Sequence, residues 1–324
     1  MRVELPGLFD LQVNGFAGVD FNAPDLIPDR AAQALDAMRA TGVTRCLPTL
    51  ITSALVAFAA AARVLSRLDD PAVAGIHMEG PYISPHDGAR GAHPRSDVIP
   101  ASLDDFRRRQ DAADGRIVLV TLAPEVDGAL PLIEYLAASG VRAAIGHTAA
   151  EPQQIADAIA AGAVLATHLG NGCAAMLPRH PNPIWELLAA DSVSASLIVD
   201  GHHLPPSTVK AMIRAKGARR TILVTDAMAA VGGAPGDYRI GGQMWTLGAD
   251  GRVSLAGTPH LAGSSLTLDR AIANAVRFSG LSLNDVVPMA SSNPAALVGM
   301  ATADVVEADW DEQSCELRIR KVRA

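Results

Sequence analysis

Short apolar, β-branched runs alternate with alanine-rich stretches of helical periodicity along most of the chain. This alternation is typical of βα units whose strands form a parallel sheet. Eight runs have the length and composition of strands, at residues 8–13, 44–50, 73–78, 116–122, 142–145, 164–167, 195–199 and 221–225. Because eight strands close a TIM-like barrel, the pattern predicts an α/β protein with a (β/α)8 barrel.

The segment after the eighth strand departs from this alternation. Residues 231–259 carry the pairs Gly232-Gly233, Gly241-Gly242 and Asp250-Gly251 between short alternating runs, which predicts a hairpin insertion near the barrel mouth. A helical pattern follows over residues 265–278, and the charged tail from Val305 is expected to form one strand and a mobile end. Since barrels of this length form one core, we expect a single domain over residues 1–324.

Composition and charge narrow the class of function. Hydrophobic residues make up 49% and charged residues 19% of the 324 positions, which favours a folded chain with a sizeable core over a disordered one. The net charge is −7 and no basic run occurs, so neither nucleic acid nor an anionic membrane is an expected partner. A small-molecule substrate is the expected partner.

The cysteines and the N-terminal residues indicate the compartment. Three widely spaced cysteines, Cys46, Cys173 and Cys315, fit reduced thiols better than a disulfide framework. The N-terminus lacks the apolar core of a signal peptide, and no stretch has the apolar length of a membrane span. We therefore expect a cytoplasmic protein.

Polar residues stand where several predicted strands end, and in a parallel barrel these ends line the active site. Glu79 closes an apolar strand, and such a buried carboxylate is ligated to a metal, salt-bridged or neutralised. His147 and His168 each close another strand, and imidazole is a good ligand for zinc or iron. A single histidine at such a position is more often a core residue. Because the ends of these three strands converge at one barrel mouth, Glu79 and the two histidines together predict a metal site.

Asp226 ends the eighth predicted strand after four uncharged residues. It can be an N-cap of the following segment, since aspartate is a favoured cap residue. Beside a metal it has a second use, because a divalent ion lowers the pKa of the water that it binds and a nearby carboxylate can take that proton. A metal site paired with a free carboxylate is what amide hydrolysis requires.

Other polar residues on the loops are candidates for substrate contact. His203 and His93 can polarise a carbonyl or meet a substrate oxygen, although His93 alone reads as an exposed loop residue. Arg179 is either a surface salt-bridge residue or a clamp for a phosphate or carboxylate, and it shares a loop with Asn171. His77 is either a partner of Glu79 or a packed core residue.

Taken in order, these motifs resemble those of the amidohydrolase superfamily, and most closely those of the N-acetylglucosamine-6-phosphate deacetylases. The resemblance runs from Pro6 to about Leu297. Its motifs are Pro6-Gly-Leu-Phe-Asp-Leu-Gln-Val-Asn-Gly15, Gly75-Ile-His-Met-Glu-Gly-Pro81, Thr121-Leu-Ala-Pro-Glu125, Gly146-His-Thr148, Thr167-His-Leu169 with Asn171, Asp200-Gly-His-His203, Val224-Thr-Asp-Ala227 and Leu261-Ala-Gly-Ser264.

The resemblance implies the metal count and the catalytic residues. Many amidohydrolases hold a second metal with a His-x-His pair on strand one, where this chain has Gln12 and Asn14. It therefore implies one divalent ion per subunit, zinc ahead of iron, bound by the three residues Glu79, His147 and His168. It further implies that Asp226 is the general base and acid and that His93 polarises the acetyl carbonyl.

The resemblance also implies how substrate binds and which substrate it is. Asn171, the Gly172 backbone, Arg179 and His203 resemble the substrate-binding set, with the arginine serving the neighbouring subunit's site in a homodimer. The implied activity is deacetylation of an N-acetyl amino sugar 6-phosphate. The altered loop after His168 leaves an amidase or cyclic imidase of unphosphorylated N-acyl compounds, or a catalytically idle sugar-phosphate-binding protein, as alternatives. The family's Pro-Gly-x-x-Ala-Asp tail is missing, so its small β-sandwich domain is expected to be absent or reduced.

Overall fold

A computed structural model describes residues 1–240, 243–258, 260–302 and 304–323. Its strands are β1 (Arg2–Pro6), β2 (Leu8–Val13), β3 (Gly15–Phe16), β4 (Val19–Asp20), β5 (Val43–Ile51), β6 (Ile76–Glu79), β7 (Ile117–Leu122), β8 (Arg142–Ile145), β9 (Ala163–Ala166), β10 (Ser194–Leu197), β11 (Thr221–Leu223), β12 (Gly236–Ile240), β13 (Gln243–Leu247), β14 (Val253–Leu255), β15 (Val305–Asp311) and β16 (Glu316–Arg323). Its α-helices are α1 (Pro28–Arg39), α2 (Leu55–Ser66), α3 (Leu103–Ala112), α4 (Ala129–Ala138), α5 (Pro152–Ala160), α6 (Pro183–Ala189), α7 (Pro206–Lys216), α8 (Leu268–Ser279), α9 (Leu283–Val286) and α10 (Ser292–Leu297).

Eight parallel strands form the central sheet in the order β11-β10-β9-β8-β7-β6-β5-β2. The two edge strands approach each other where the backbones of Val13 and Ala227 form a parallel bridge, so the barrel is nearly closed. Each predicted strand overlaps one of these eight, which confirms the TIM-like barrel. The carboxyl ends of all eight strands consequently face one mouth.

The helices bury their apolar faces against the barrel, and α8 shows how its sequence achieves this. Its buried residues Leu268, Ala271, Ile272 and Ala275 recur at intervals of three and four, which places them on one face. The helix ends at Gly280, whose φ of 77° is a left-handed conformation that glycine adopts at little cost. The helix predicted over residues 265–278 is therefore present, at residues 268–279.

The segment after the barrel folds as a three-stranded antiparallel sheet in the order β12-β13-β14. The predicted hairpin insertion is present, with a third strand added. The sheet packs on the segment that follows β11, through buried residues that include Met228, Trp245, Leu247 and Val253. The expected turn at Gly241-Gly242 lies outside the described residues.

A second small sheet joins the two ends of the described chain in the order β1-β15-β16. Val306, Ala308 and Trp310 are buried at every second position of β15, so this strand presents one apolar face to the interior. The expectation of one strand and a mobile end is therefore wrong, because β16 pairs with β15 over most of its length. The family's small β domain is reduced to this minor sheet rather than absent.

All three cysteines are free, with Cys46 buried and the other two half-buried. Among the residues that the structure describes, no helix is both long enough and apolar enough to cross a membrane.

Candidate metal centre

Three of the predicted polar residues meet at the barrel mouth. Glu79 is the last residue of β6, while His147 and His168 each lie two residues beyond β8 and β9. Oε1 of Glu79 lies 3.2 Å from Nε2 of His147 and 3.0 Å from Nε2 of His168, and these two nitrogens are 3.1 Å apart. The three side chains are buried and form a compact cluster.

The chemistry of this donor set fits a divalent metal ion. Nδ1 of His147 lies 3.0 Å from the carbonyl oxygen of Ala89, which only accepts, so Nδ1 carries the proton and Nε2 turns a lone pair toward the cluster. Lone pairs on two facing imidazole nitrogens repel each other unless a proton or a cation lies between them. Within the described residues, Glu79, His147 and His168 are the group whose ligand atoms lie close enough together to hold a metal ion, within 4.8 Å of one another.

The charges at the cluster are arranged to receive a cation. Burial alone would raise the pKa of Glu79, but the hydrogen bonds and charges of His147 and His168 hold it well below its ordinary value. Burial would lower the pKa of His168, yet the hydrogen bond and charge of Glu79 raise it. The protein thus keeps a buried carboxylate anionic beside two imidazoles, and a metal cation would neutralise that buried charge.

Three residues of the centre have left-handed backbones. The φ angles of His147, His168 and Asp226 are 50°, 30° and 50°. Such a conformation costs a non-glycine residue about 1–3 kcal/mol, and it persists only where surrounding contacts hold it. In each case the chain turns sharply at the end of a strand and directs the side chain into the mouth. No residue pattern in the sequence indicates this conformation.

Two amides hold Asp226, and one of them also joins it to the cluster. Oδ1 of Asp226 accepts a hydrogen bond from Nδ2 of Asn14 at 2.6 Å and one from Nε2 of Gln12 at 3.2 Å. The same Gln12 nitrogen lies 2.8 Å from Oε1 of Glu79. Burial and the charge of Glu79 raise the pKa of Asp226 to about 6. The sequence identifies Gln12 and Asn14 only as poor metal ligands, and their role as hydrogen-bond donors was missed.

His93 completes the inner wall of the centre. Its ring centroid lies 4.2 Å from that of His147, and its Nε2 lies 3.9 Å from Oε2 of Glu79. Burial, with the charge of His147 second, lowers the pKa of His93 to about 3, so its imidazole is neutral. Nδ1 of His93 lies 2.8 Å from Oγ1 of Thr52, a residue just beyond β5 that no sequence signal identifies. Contrary to its reading as an exposed loop residue, His93 is buried.

The predicted substrate-binding residues take different positions. The backbone nitrogen of Asn171 donates to the carbonyl oxygen of His168 at 2.9 Å, and a Cβ added to Gly172 would lie 2.9 Å from Nδ1 of His147. Both residues therefore border the metal ligands. Nδ1 of His203 lies 2.7 Å from Oδ2 of Asp200.

His203 lies close enough to Asp226 for its charge to lower that carboxyl's pKa. Arg179, in contrast, is exposed on its loop, and no ion pair links it to another residue in the described part of the chain. Asn171 and Gly172 therefore lie beside the metal ligands and His203 lies near Asp226, whereas no ion pair links Arg179 to any of them in the described part of the chain.

His77 has partners other than Glu79. Its Nε2 lies 2.8 Å from Oγ1 of Thr121, and that hydroxyl lies 2.8 Å from Oγ1 of Thr167. These buried side chains form a polar layer inside the barrel, one level below the metal ligands. The sequence leaves two roles open for His77, a partner of Glu79 or a packed core residue. The structure places it in the core, where its ring is hydrogen-bonded to Thr121.

Comparison with known proteins shows the family of the chain. The model of the amidohydrolase family matches residues 3–310. The N-acetylglucosamine-6-phosphate deacetylase of Bacillus subtilis is 35% identical over 311 residues, which span 92% of this chain and 76% of that protein. The N-acetylgalactosamine-6-phosphate deacetylase of a Shewanella species is 34% identical and spans 94% of this chain and 77% of its own length.

Solved structures agree with these relatives. The crystal structure of N-acetyl-D-glucosamine-6-phosphate deacetylase from Mycobacterium smegmatis superimposes with a TM-score of 0.89 at 33% identity, covering 99% of this chain and 86% of that one. The enzyme of the same name from Thermotoga maritima gives a TM-score of 0.84 at 26% identity, covering 97% and 86% of the two chains. The chain belongs to the amidohydrolase family, a metal-dependent family of hydrolases.

Proposed function

We propose that this protein hydrolyses the N-acetyl group of an N-acetyl amino sugar 6-phosphate, giving acetate and the free amine. The observation that carries the proposal is the cluster of Glu79, His147 and His168 with Asp226 tied to it through the amide of Gln12. The relatives support the proposal, because deacetylases of 6-phosphorylated amino sugars are 31–35% identical in sequence to this chain. Because these include both glucosamine and galactosamine enzymes, the two sugars belong in one assay.

The residues that would hold the metal are Glu79, His147 and His168. Zinc and iron both suit two imidazoles and a carboxylate, and zinc is the proposed ion. When bound, a divalent ion supplies Lewis acidity that polarises the acetyl carbonyl and lowers the pKa of water.

Asp226 moves the proton in this mechanism. As a carboxylate it takes a proton from the water that attacks the acetyl carbon, and as a carboxylic acid it gives that proton to the departing nitrogen. Burial raises the pKa of Asp226 above that of an exposed aspartate, which favours its use both as a base and as an acid. The hydrogen bonds from Asn14 and Gln12 occupy Oδ1 and leave Oδ2 for the proton.

His93 is proposed to stabilise the oxygen that becomes negative as the acetyl carbon is attacked. Its neutral imidazole donates from one nitrogen only, so Nε2 can donate to the substrate only when the Thr52 hydroxyl donates to Nδ1. The other acceptor for that hydroxyl, the carbonyl oxygen of Glu79, is farther away at 3.5 Å, so Nδ1 at 2.8 Å is the proposed acceptor. Thr52 therefore sets the tautomer of His93.

Replacing Thr52 tests this tautomer. Thr52→Val keeps the shape of the side chain and removes its hydroxyl, so we expect kcat to fall by about 10-fold, the value of one typical hydrogen bond, with KM little changed. Thr52→Ser keeps the hydroxyl and is the matched control. Equal kcat values for the wild type and Thr52→Val would show that the hydroxyl does not orient His93.

Asn171, Gly172, His203 and Arg179 form the proposed substrate-binding set. Since Arg179 is exposed and its guanidinium forms no ion pair with another described residue, it is proposed to reach the site of a second subunit in a homodimer. Met176 and Trp185, which lie near Arg179 in the sequence, are large apolar residues that are 90% and 54% exposed. Exposed apolar residues of this kind support the proposal that a second subunit covers this face. We further propose that residues 1–324 act as one domain in the cytoplasm.

Arg179→Ala is expected to raise KM for a 6-phosphorylated sugar by about 10–100-fold, because a hydrogen bond to a charged group contributes about 1.5–3 kcal/mol. Hydrolysis of the same sugar without phosphate should be unchanged. The measurement is acetate release at varied substrate concentration for both sugars. An equal change in KM for the two sugars would contradict a role in phosphate binding.

The function itself is tested by acetate release from N-acetylglucosamine and N-acetylgalactosamine, each with and without the 6-phosphate. We expect release from a phosphorylated sugar and little from the plain ones. Release from the unphosphorylated compounds alone would favour the amidase alternative. Tight sugar binding without release, in a chain that carries metal, would favour a catalytically idle binding protein.

A further inference from the structure

The loop after β7 contacts the turn that carries His147. Glu125, three residues beyond β7, uses both of its carboxylate oxygens there. Oε2 accepts a hydrogen bond from the hydroxyl of Thr148 at 2.6 Å, and Oε1 accepts one from the backbone nitrogen of Ala149 at 2.6 Å. Both bonds are short, as expected for an ionised acceptor. Glu125 is the last residue of the motif Thr121-Leu-Ala-Pro-Glu125, which the proposed mechanism does not otherwise use.

The turn held by Glu125 is a strained one. His147 has a φ of 50°, and the next two residues are the ones that donate to Glu125. Since this conformation is unfavourable for a histidine, contacts on either side must hold it. The two hydrogen bonds to the Glu125 carboxylate are such contacts, and hydrogen bonds to a charged group are stronger than neutral ones.

The hydroxyl of Thr148 depends on Glu125 for its proton. Thr148 is buried, and its Oγ1 already accepts a hydrogen bond from the backbone nitrogen of Ala150 at 2.9 Å. Its own proton goes to Glu125, and without that acceptor a buried donor would be left unpaired. Loss of the carboxylate therefore favours a different path of the chain just after His147.

The same turn joins the two loops that border the centre. The backbone nitrogen of Thr148 donates to the carbonyl oxygen of Gly172 at 3.2 Å, and the nitrogen of Ser84 donates to the carbonyl oxygen of His147 at 2.9 Å. A shift of this turn therefore moves a ligand and both neighbouring loops together.

We propose that Glu125 is a positioning residue that holds the backbone of His147 so that Nε2 points into the metal centre. Glu125 contacts Thr148 and Ala149 rather than the ligand atoms, so its effect is on metal affinity and geometry and not on proton transfer. This inference rests on the proposed metal site.

The test compares Glu125→Ala with Glu125→Gln. Removing a direct hydrogen-bond partner of a metal ligand typically weakens metal affinity about 10–100-fold. Because Glu125 holds the backbone next to His147 and not its ring, Glu125→Ala is expected to raise the Kd for Zn²⁺ by about 10-fold, the lower end of that range. Glu125→Gln is expected to raise the Kd less than Glu125→Ala does, because its amide oxygen keeps one of the two hydrogen bonds while its amide nitrogen cannot accept the proton of the Thr148 hydroxyl. Glu134→Ala, an exposed change on α4, is the matched control.

A spectroscopic readout separates positioning from general damage. In the Co²⁺-loaded protein, the visible absorption bands should shift most in Glu125→Ala, less in Glu125→Gln and not in Glu134→Ala. Thr148→Val removes one of the two bonds and, should Glu125→Ala fail to fold, gives the same test with a smaller increase in Kd. If Glu125→Ala or, in its place, Thr148→Val had the wild-type Kd and spectrum, the inference would be wrong while the metal site stood. A wild-type chain that binds no divalent ion would overturn both.

Discussion

Asp226→Asn is expected to lower kcat by about 10²–10⁴-fold, the usual contribution of a general acid–base group. The amide keeps the size of the side chain and one oxygen, which can still accept from Asn14 and Gln12. It cannot take a proton from water at neutral pH, and it cannot return one to the departing nitrogen. Metal content should stay at the wild-type level, because Asp226 is not one of the three ligands.

A second buried aspartate provides the control for this substitution. Asp10 is 1% exposed and accepts hydrogen bonds from Thr225, the residue before Asp226, but its hydrogen bonds within the described residues do not reach the three metal ligands. We expect a far smaller loss of kcat for Asp10→Asn. Acetate release by Asp226→Asn at the wild-type rate, with metal bound, would show that another group transfers the proton.

Glu79→Gln is expected to abolish metal binding at micromolar metal and, with it, measurable turnover. The substitution replaces an anionic ligand with a neutral amide, and amide oxygens are weak ligands for zinc beside imidazole. It also removes the only carboxylate that the two facing Nε2 atoms share within the described residues. Metal analysis after dialysis, with circular dichroism to confirm folding, measures the effect.

His77→Gln is the matched control for Glu79→Gln, because His77 lies on the same strand, is equally buried and bonds to Thr121 instead of the ligands. Its metal content should be close to that of the wild type. A Glu79→Gln protein that retained one equivalent of metal and normal activity would remove Glu79 from the ligand set.

The barrel could be predicted from sequence because its signal is local. Each strand is a short apolar run next to a helix with its own apolar face, and the βα order restricts the topology. The small sheet could not be predicted in full, since β1 pairs with β15 across some 300 residues, as between Arg2 and Asp309. No periodicity within either segment specifies such a distant partner.

The ligand set could be proposed from sequence for a similar reason. Strand ends meet at one barrel mouth, so a glutamate and two histidines at three such ends are brought together by topology alone. Thr52, Glu125 and the Asn14–Asp226 bond depend instead on the paths of loops and on side-chain orientation. The exposure of Arg179 likewise depends on the fold of its loop, which no residue pattern fixes.

The most direct test of a one-metal deacetylase is a titration of metal-free protein with Zn²⁺, with bound metal and acetate release measured on the same samples. N-acetylglucosamine-6-phosphate and N-acetylgalactosamine-6-phosphate serve as substrates. We predict that activity rises linearly and reaches its plateau at one equivalent per chain. Activity that required two equivalents, or that persisted in fully metal-free protein, would contradict a single metal at Glu79, His147 and His168.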